Sequence, residues 1–136
     1  MIRLTGGGSL DYRRMAAAIR RAEIRSLAHA AAAIRVQAVR GIKQTPRNQP
    51  SAPGAPPHTR KGQLRRAILY ALLEENGFPA AIVGPSFDLV GLSGKAHEFG
   101  GHFKGADYPK RPFMAPALKV IETRLPAFFD GSLRET

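Results

Sequence analysis

The sequence predicts an α+β fold in which a small, mostly antiparallel β-sheet is flanked by a long N-terminal helix and a C-terminal helix. Three observations carry this prediction. About thirty residues before Gly41 are dense in alanine and arginine and hold no proline. The middle of the chain has short apolar runs punctuated by Asn76-Gly77 and Gly84-Pro85, the spacing of strands and tight turns rather than of helices. Beyond Pro109 and Pro112 an amphipathic run resumes. Helices kept apart in sequence from a cluster of short strands make an α+β arrangement.

At 136 residues the size prior is a single domain, 1–136, with room for a modest core. There is no cysteine, which excludes disulfides, thiol catalysis and thiolate metal sites. The longest apolar runs fall far short of the ~20 residues that span a bilayer, and no leader pattern opens the chain. It reads as a protein made in the cytoplasm, with no membrane partner. Twenty-one Lys and Arg against ten Asp and Glu give a net charge of +11. That excess fits a polyanion, an acidic partner surface, or solubility alone.

Residues 1–9 contain Gly6-Gly7-Gly8-Ser9, show no apolar period and read as a flexible arm. No Gly-Lys-Ser/Thr follows, so the glycines are not a phosphate loop. Ser9 or Asp11 can cap the helix over 10–41. At about 1.5 Å per residue it is a rod roughly 45 Å long. Met15, Ile19, Leu27, Ala30 and Ile34 share one side, and Arg14, Arg21, Arg25 and Lys43 cluster on the opposite one. The many alanines permit close approach but bury little area each, so this helix is expected to lean on more than its own domain. The arginine row is either a solvated face or one that meets phosphates or an acidic subunit.

Five prolines fall within Gln44 to His58, which forbids helix and central strand alike over 44–58. The expectation is an extended, stiff loop, ordered against a neighbour or else disordered. The sheet region spans 59–112. Thr59 can cap a short turn through Arg66. Ile68 to Leu73, Asn76-Gly77 and Ala80 to Gly84 read as a hairpin, with one helix from Leu64 to Glu75 as the alternative. Phe87 to Leu92 is a third strand or an irregular loop, and His102 to Lys104 an edge strand at most. Ala96 to Gly101 is a glycine-broken turn, and Pro109 and Pro112 keep the chain extended into Phe113. A helix over 113–130 follows, with Pro116 in its first turn and Ala117, Leu118, Val120, Ile121 and Leu125 as its apolar stripe.

No catalytic constellation is present. His97 and His102 stand five apart, not four, so on a helix the imidazoles would point some 140° away from each other. Gly100-Gly101 would break that helix anyway. No Gly-x-Ser-x-Gly elbow exists, and Ser86, Ser93, Asp88 and His97 have no triad spacing. Glu74 and Glu75 would face opposite ways on a strand. The reading is of a protein that is no enzyme and takes no cofactor, metal or small-molecule substrate.

The order of a basic helix, a Pro-rich loop, Pro57-His58-Thr59-Arg60-Lys61-Gly62-Gln63-Leu64-Arg65-Arg66-Ala67-Ile68, Ala96-His97-Glu98-Phe99-Gly100 and Arg111-Pro112-Phe113-Met114-Ala115-Pro116-Ala117-Leu118 resembles the head–tail joining family of tailed bacteriophages, the neck proteins of the tail-completion or tail-terminator type. The likeness spans roughly residues 10 to 129. It departs from the family pattern at Lys61-Gly62-Gln63, where Thr-Gly is usual, and at Lys95-Ala96-His97, where Tyr-Ala is usual.

The resemblance implies a virion protein, made in the host bacterial cytoplasm, that closes into a ring, commonly hexameric. The ring would lie between the head connector and the tail tube, with both as partners and genome DNA passing through the lumen. It further implies subunit contacts at Arg111, Pro112, Phe113 and Met114, at Glu98 and Phe99, and at Pro53, Pro56 and Pro57 in the loop. Phe113 is the residue for which burial within its own chain is an equal alternative. Arg14, Arg21, Arg25 and Arg65 are the candidates for an acidic partner or DNA. The competing reading is a basic nucleic-acid-binding protein with no virion role, argued from charge alone. No helix-turn-helix, zinc-finger or RNA-binding signature supports it.

Overall fold

The structure, a computed structural model, describes residues 12–46 and 49–130. The expected arm over 1–9 and the Ser9 or Asp11 cap lie outside these residues. The fold is α+β. Helix α1 (Tyr12–Gly41) is the long element, as its alanine content requires. It is followed by β1 (Lys43–Gln44), β2 (His58–Thr59), α2 (Gln63–Ala67), β3 (Ile68–Glu75) and β4 (Phe78–Pro85). Then come α3 (Phe87–Val90), α4 (Ser93–Phe99), β5 (Gly101–Phe103), β6 (Ala106–Tyr108), α5 (Met114–Glu122) and α6 (Leu125–Phe129).

The strands do not merge into one sheet. They form three two-stranded ladders: β1–β2 parallel, β3–β4 and β5–β6 antiparallel. The β3–β4 hairpin is the one expected at Asn76-Gly77, where φ of 51° and 81° at the two turn residues matches the right-handed twist of the flanking strands. The alternative of one helix through Glu75 is settled by a break at Ile68: α2 ends at Ala67 and the strand begins.

α1 packs on the side expected, but its fully buried positions are the small residues Ala22, Ser26, Ala30, Ala31 and Ala38. Ile19, expected on the packed side, is 40% exposed, and Met15, Leu27 and Ile34 are half-buried. Small side chains let α5 and the hairpin approach the helix axis closely, and the larger ones flank that seam. The core lies at the C-terminal end of α1, where Ala38, Ile42, Leu64, Ile68, Phe113 and Ala117 cluster.

Three further expectations are corrected. Phe87 to Leu92 is neither strand nor irregular loop but opens with the helical turn α3, whose Leu89 and Val90 amides donate to the Ser86 carbonyl. Ala96 to Phe99 is no turn but the second half of α4, which stops at Gly100. The C-terminal helix is not continuous over 113–130: it is split between α5 and α6. Pro126 accounts for the split, because it lacks an N–H and its ring collides with the carbonyl four residues back. Of the stripe proposed behind Pro116, Ala117 and Ile121 are buried while Leu118 and Val120 face solvent.

Candidate assembly surface

Alternation along the hairpin sorts its side chains onto two faces. Ile68, Tyr70, Leu72 and Glu74 lie opposite Pro85, Val83, Ala81 and Pro79 on the face turned to α1. Arg20 of α1 forms an ion pair with Glu74 at one end, and Arg35 Nε donates to the Ile68 carbonyl at 2.7 Å at the other. Leu69, Ala71, Leu73 and Glu75 lie opposite Gly84, Ile82, Ala80 and Phe78 on the outer face. Here Phe78 is 72% and Ile82 60% exposed, while Leu69 and Leu73 are about as open as Tyr70 and Leu72 on the other face.

The outer face is therefore largely apolar, with Glu75 at one end, and is open to solvent except where Leu73 and Ala80 line a cavity shared with Arg20, Ile24 and Leu27 of α1. Among the described residues both long edges of the ladder are also unpaired. A two-stranded ladder of this kind is marginal by itself, and an uncovered apolar sheet face with open edges is the feature monomeric proteins suppress. Phe87, Leu89, Leu92 and Phe99 add exposed apolar side chains along α3 and α4.

The loop and arm residues expected at the surface are knotted together instead. Glu98, at the end of α4, takes the place of an N-cap for α5: its Oε2 accepts from the amides of Phe113 at 2.8 Å and Met114 at 2.9 Å, and its Oε1 from Ala115 at 3.0 Å. A carboxylate there satisfies orphan N–H groups and faces the positive end of the helix dipole. The His97 carbonyl accepts the Arg111 amide at 2.7 Å, Arg111 Nε donates to the Ser51 carbonyl at 3.0 Å, and the Gly54 amide donates to the Lys110 carbonyl at 2.7 Å. So α4, the arm and the Pro-rich loop meet around Arg111.

The loop itself is closed at its base by β1–β2 and by Thr45 N donating to the Thr59 carbonyl at 2.9 Å. Of the contact residues expected in it, Pro57 is fully buried, Pro56 is half-buried beside Gly41, and Pro53 is exposed. Phe113, at 2% exposure, is core of its own chain, so neither it nor Pro57 offers a side chain to a neighbour. Pro112 and Met114 are half-buried, Met114 packing on the core, and Phe99 remains open. The spacing of Glu98 to Phe113, fifteen residues, carries no sequence signal for a cap.

The basic candidates divide in two. Arg14, Arg21 and Arg25 are on the exposed side of α1, and Arg25 lines a groove against α6 with His29, Phe128 and Asp130. Arg65 is elsewhere, in a cavity with Arg35 and Arg66 beside Val39 at the other end of α1. His102 meets Asp107 at 2.9 Å on the β5–β6 ladder. His97 is held below the usual histidine range by burial and, second, by the Arg111 charge. No family model, curated protein or solved structure matches the chain. Among the described residues no helix is long and apolar enough to cross a membrane.

Proposed function

We propose that this chain is a structural virion protein of a tailed phage, forming a ring in the neck between head connector and tail tube, with DNA passing through. The supporting observation is the β3–β4 hairpin, which exposes Phe78 and Ile82 on its outer face and whose edges are open among the described residues. A subunit of a closed ring satisfies such surfaces only when the array is complete. The likeness of the Glu98 and Arg111-to-Leu118 segments to head–tail joining proteins supports the neck as the place of that ring.

The test is the mass of the purified, nucleic-acid-free protein by light scattering at low and high salt. A closed oligomer of about six subunits that persists at high salt is the expected result, because apolar contacts are not screened. A chain that stays monomeric at high concentration and binds duplex DNA with a steep loss in salt overturns this reading in favour of a simple basic binder.

A further inference from the structure

We infer that the cavity between the C-terminal end of α1 and the start of α2 is a binding site for a phosphate group, held by Arg35, Arg65 and Arg66. All three arginines line one open concave space of about 240 Å³, which Val39, Gln44 and Gly62 complete. None of the lining residues is acidic, and no carboxylate among the described residues pairs with any of the three. Arginines on a surface ordinarily scatter or pair with carboxylates. Three that share a cavity with no counter-charge repel one another and gain most from an anion placed between them.

The walls are built for it. Arg35 is fixed by its Nε bond to the Ile68 carbonyl, so its guanidinium is oriented without using its terminal nitrogens. Arg65 Nε is buried with no hydrogen-bond partner, an orphaned donor on a cation. Gln44 is held by its Nε2 bond to the Arg60 carbonyl at 3.2 Å, leaving its Oε1 by the cavity. Gly62 leaves the mouth open: a Cβ there would stand 3.2 Å from an Arg66 terminal nitrogen, and φ of 74° disfavours any side chain. Planar forks that donate in pairs match the oxygens of a phosphate better than a single ammonium does, which is why the chemistry is phosphate rather than a generic anion.

This inference stands apart from ring assembly, since every group belongs to one chain. It is tested by titrating inorganic phosphate into the full-length protein while following the arginine Nε–Hε signals by NMR. Saturable shifts at Arg65 and Arg66 are expected, absent with chloride at equal ionic strength. R66K, which keeps the charge and loses the fork, and R65Q should each weaken binding about tenfold, the scale of one charge-assisted hydrogen bond. K119Q, on the exposed side of α5, should leave it unchanged. Melting curves confirm that each variant is folded, and R66K preserves the test if R65Q is not.

A short DNA duplex that displaces the phosphate identifies a nucleic-acid backbone as the source. Phosphate binding without such competition identifies a free phosphate. Shifts that do not saturate, that chloride reproduces, or that K119Q abolishes equally overturn the proposal. So does an acidic peptide that occupies the cavity while phosphate does not.

Discussion

Glu98 of α4 accepts the backbone amide of Phe113, fifteen residues on, at 2.8 Å, and through that bond one side chain decides where the last helix begins. Phe113 has no side chain able to cap, and the same carboxylate also takes the amides of Met114 and Ala115. Glu98→Ala leaves three amides to water and removes the charge that faces the helix dipole. The expected loss is about 2 kcal/mol, read as a fall in Tm of several degrees. Glu98→Gln, which retains an acceptor oxygen but no charge, should lose about half as much.

The neighbouring residue makes the same joint sensitive to acid. The His97 ring is partly buried, its Nδ1 finds no partner, and the Arg111 charge stands beside it. Burial first and Arg111 second push its pKa below the ordinary 6.5, so the fold favours the neutral ring. The sign follows: above pH 6.5 the ring is neutral folded or unfolded and this stability is fully present. As pH falls through the folded pKa it is lost, because the unfolded chain takes up the proton first. Urea unfolding at about pH 7.5 and about pH 5.5 should show a larger drop for wild type than for His97→Gln.

Gly94, inside α4, sets two effects against each other. Helix propensity favours alanine there by about 1 kcal/mol. A Cβ at this position would stand 2.5 Å from Pro85 Cγ and 2.8 Å from Pro85 Cβ, and a proline ring cannot swing aside. Overpacking of that kind costs typically 1–3 kcal/mol. Packing should win, and Gly94→Ala should melt below wild type despite its better propensity. An equal or higher Tm would show that α4 can shift away from the end of β4.

What was legible in the sequence was what local rules govern. The alanine-rich rod, the Asn76-Gly77 hairpin and the start of the last helix each follow from a composition or a dipeptide. Of the β5–β6 hairpin only an edge strand at His102 is legible, because its turn is Lys104-Gly105 rather than an Asn-Gly signal. Pro126 stands inside the helix expected over 113–130, and a proline there cannot continue it. The joint was not legible at all: Glu98 to Phe113 and Arg111 to Ser51 are pairings across fifteen and sixty residues, which only tertiary packing creates. Arg65 is legible by its charge, but its companion Arg35 is not, since nothing in the sequence places α1 beside α2.

The hairpin separates assembly from folding, and two substitutions exploit that. Phe78 and Ile82 are 72% and 60% exposed, so Phe78→Ser and Ile82→Thr remove little that the isolated chain buries. Unfolding free energy of the dissociated protein should change by only about 0.5 kcal/mol. Covered by a neighbouring subunit, each side chain would contribute about 1.5–3 kcal/mol, so the same substitutions should weaken self-association by at least about tenfold per subunit contact. Phe113→Leu is the opposite case. At 2% exposure in the core it should destabilise the chain by about 1–3 kcal/mol while leaving the outer face of the hairpin as it was. Sedimentation equilibrium beside urea unfolding reads both quantities. If Phe78→Ser and Ile82→Thr unfold the chain as readily as Phe113→Leu does, the outer face is part of the monomer's stability rather than a surface kept for a neighbour.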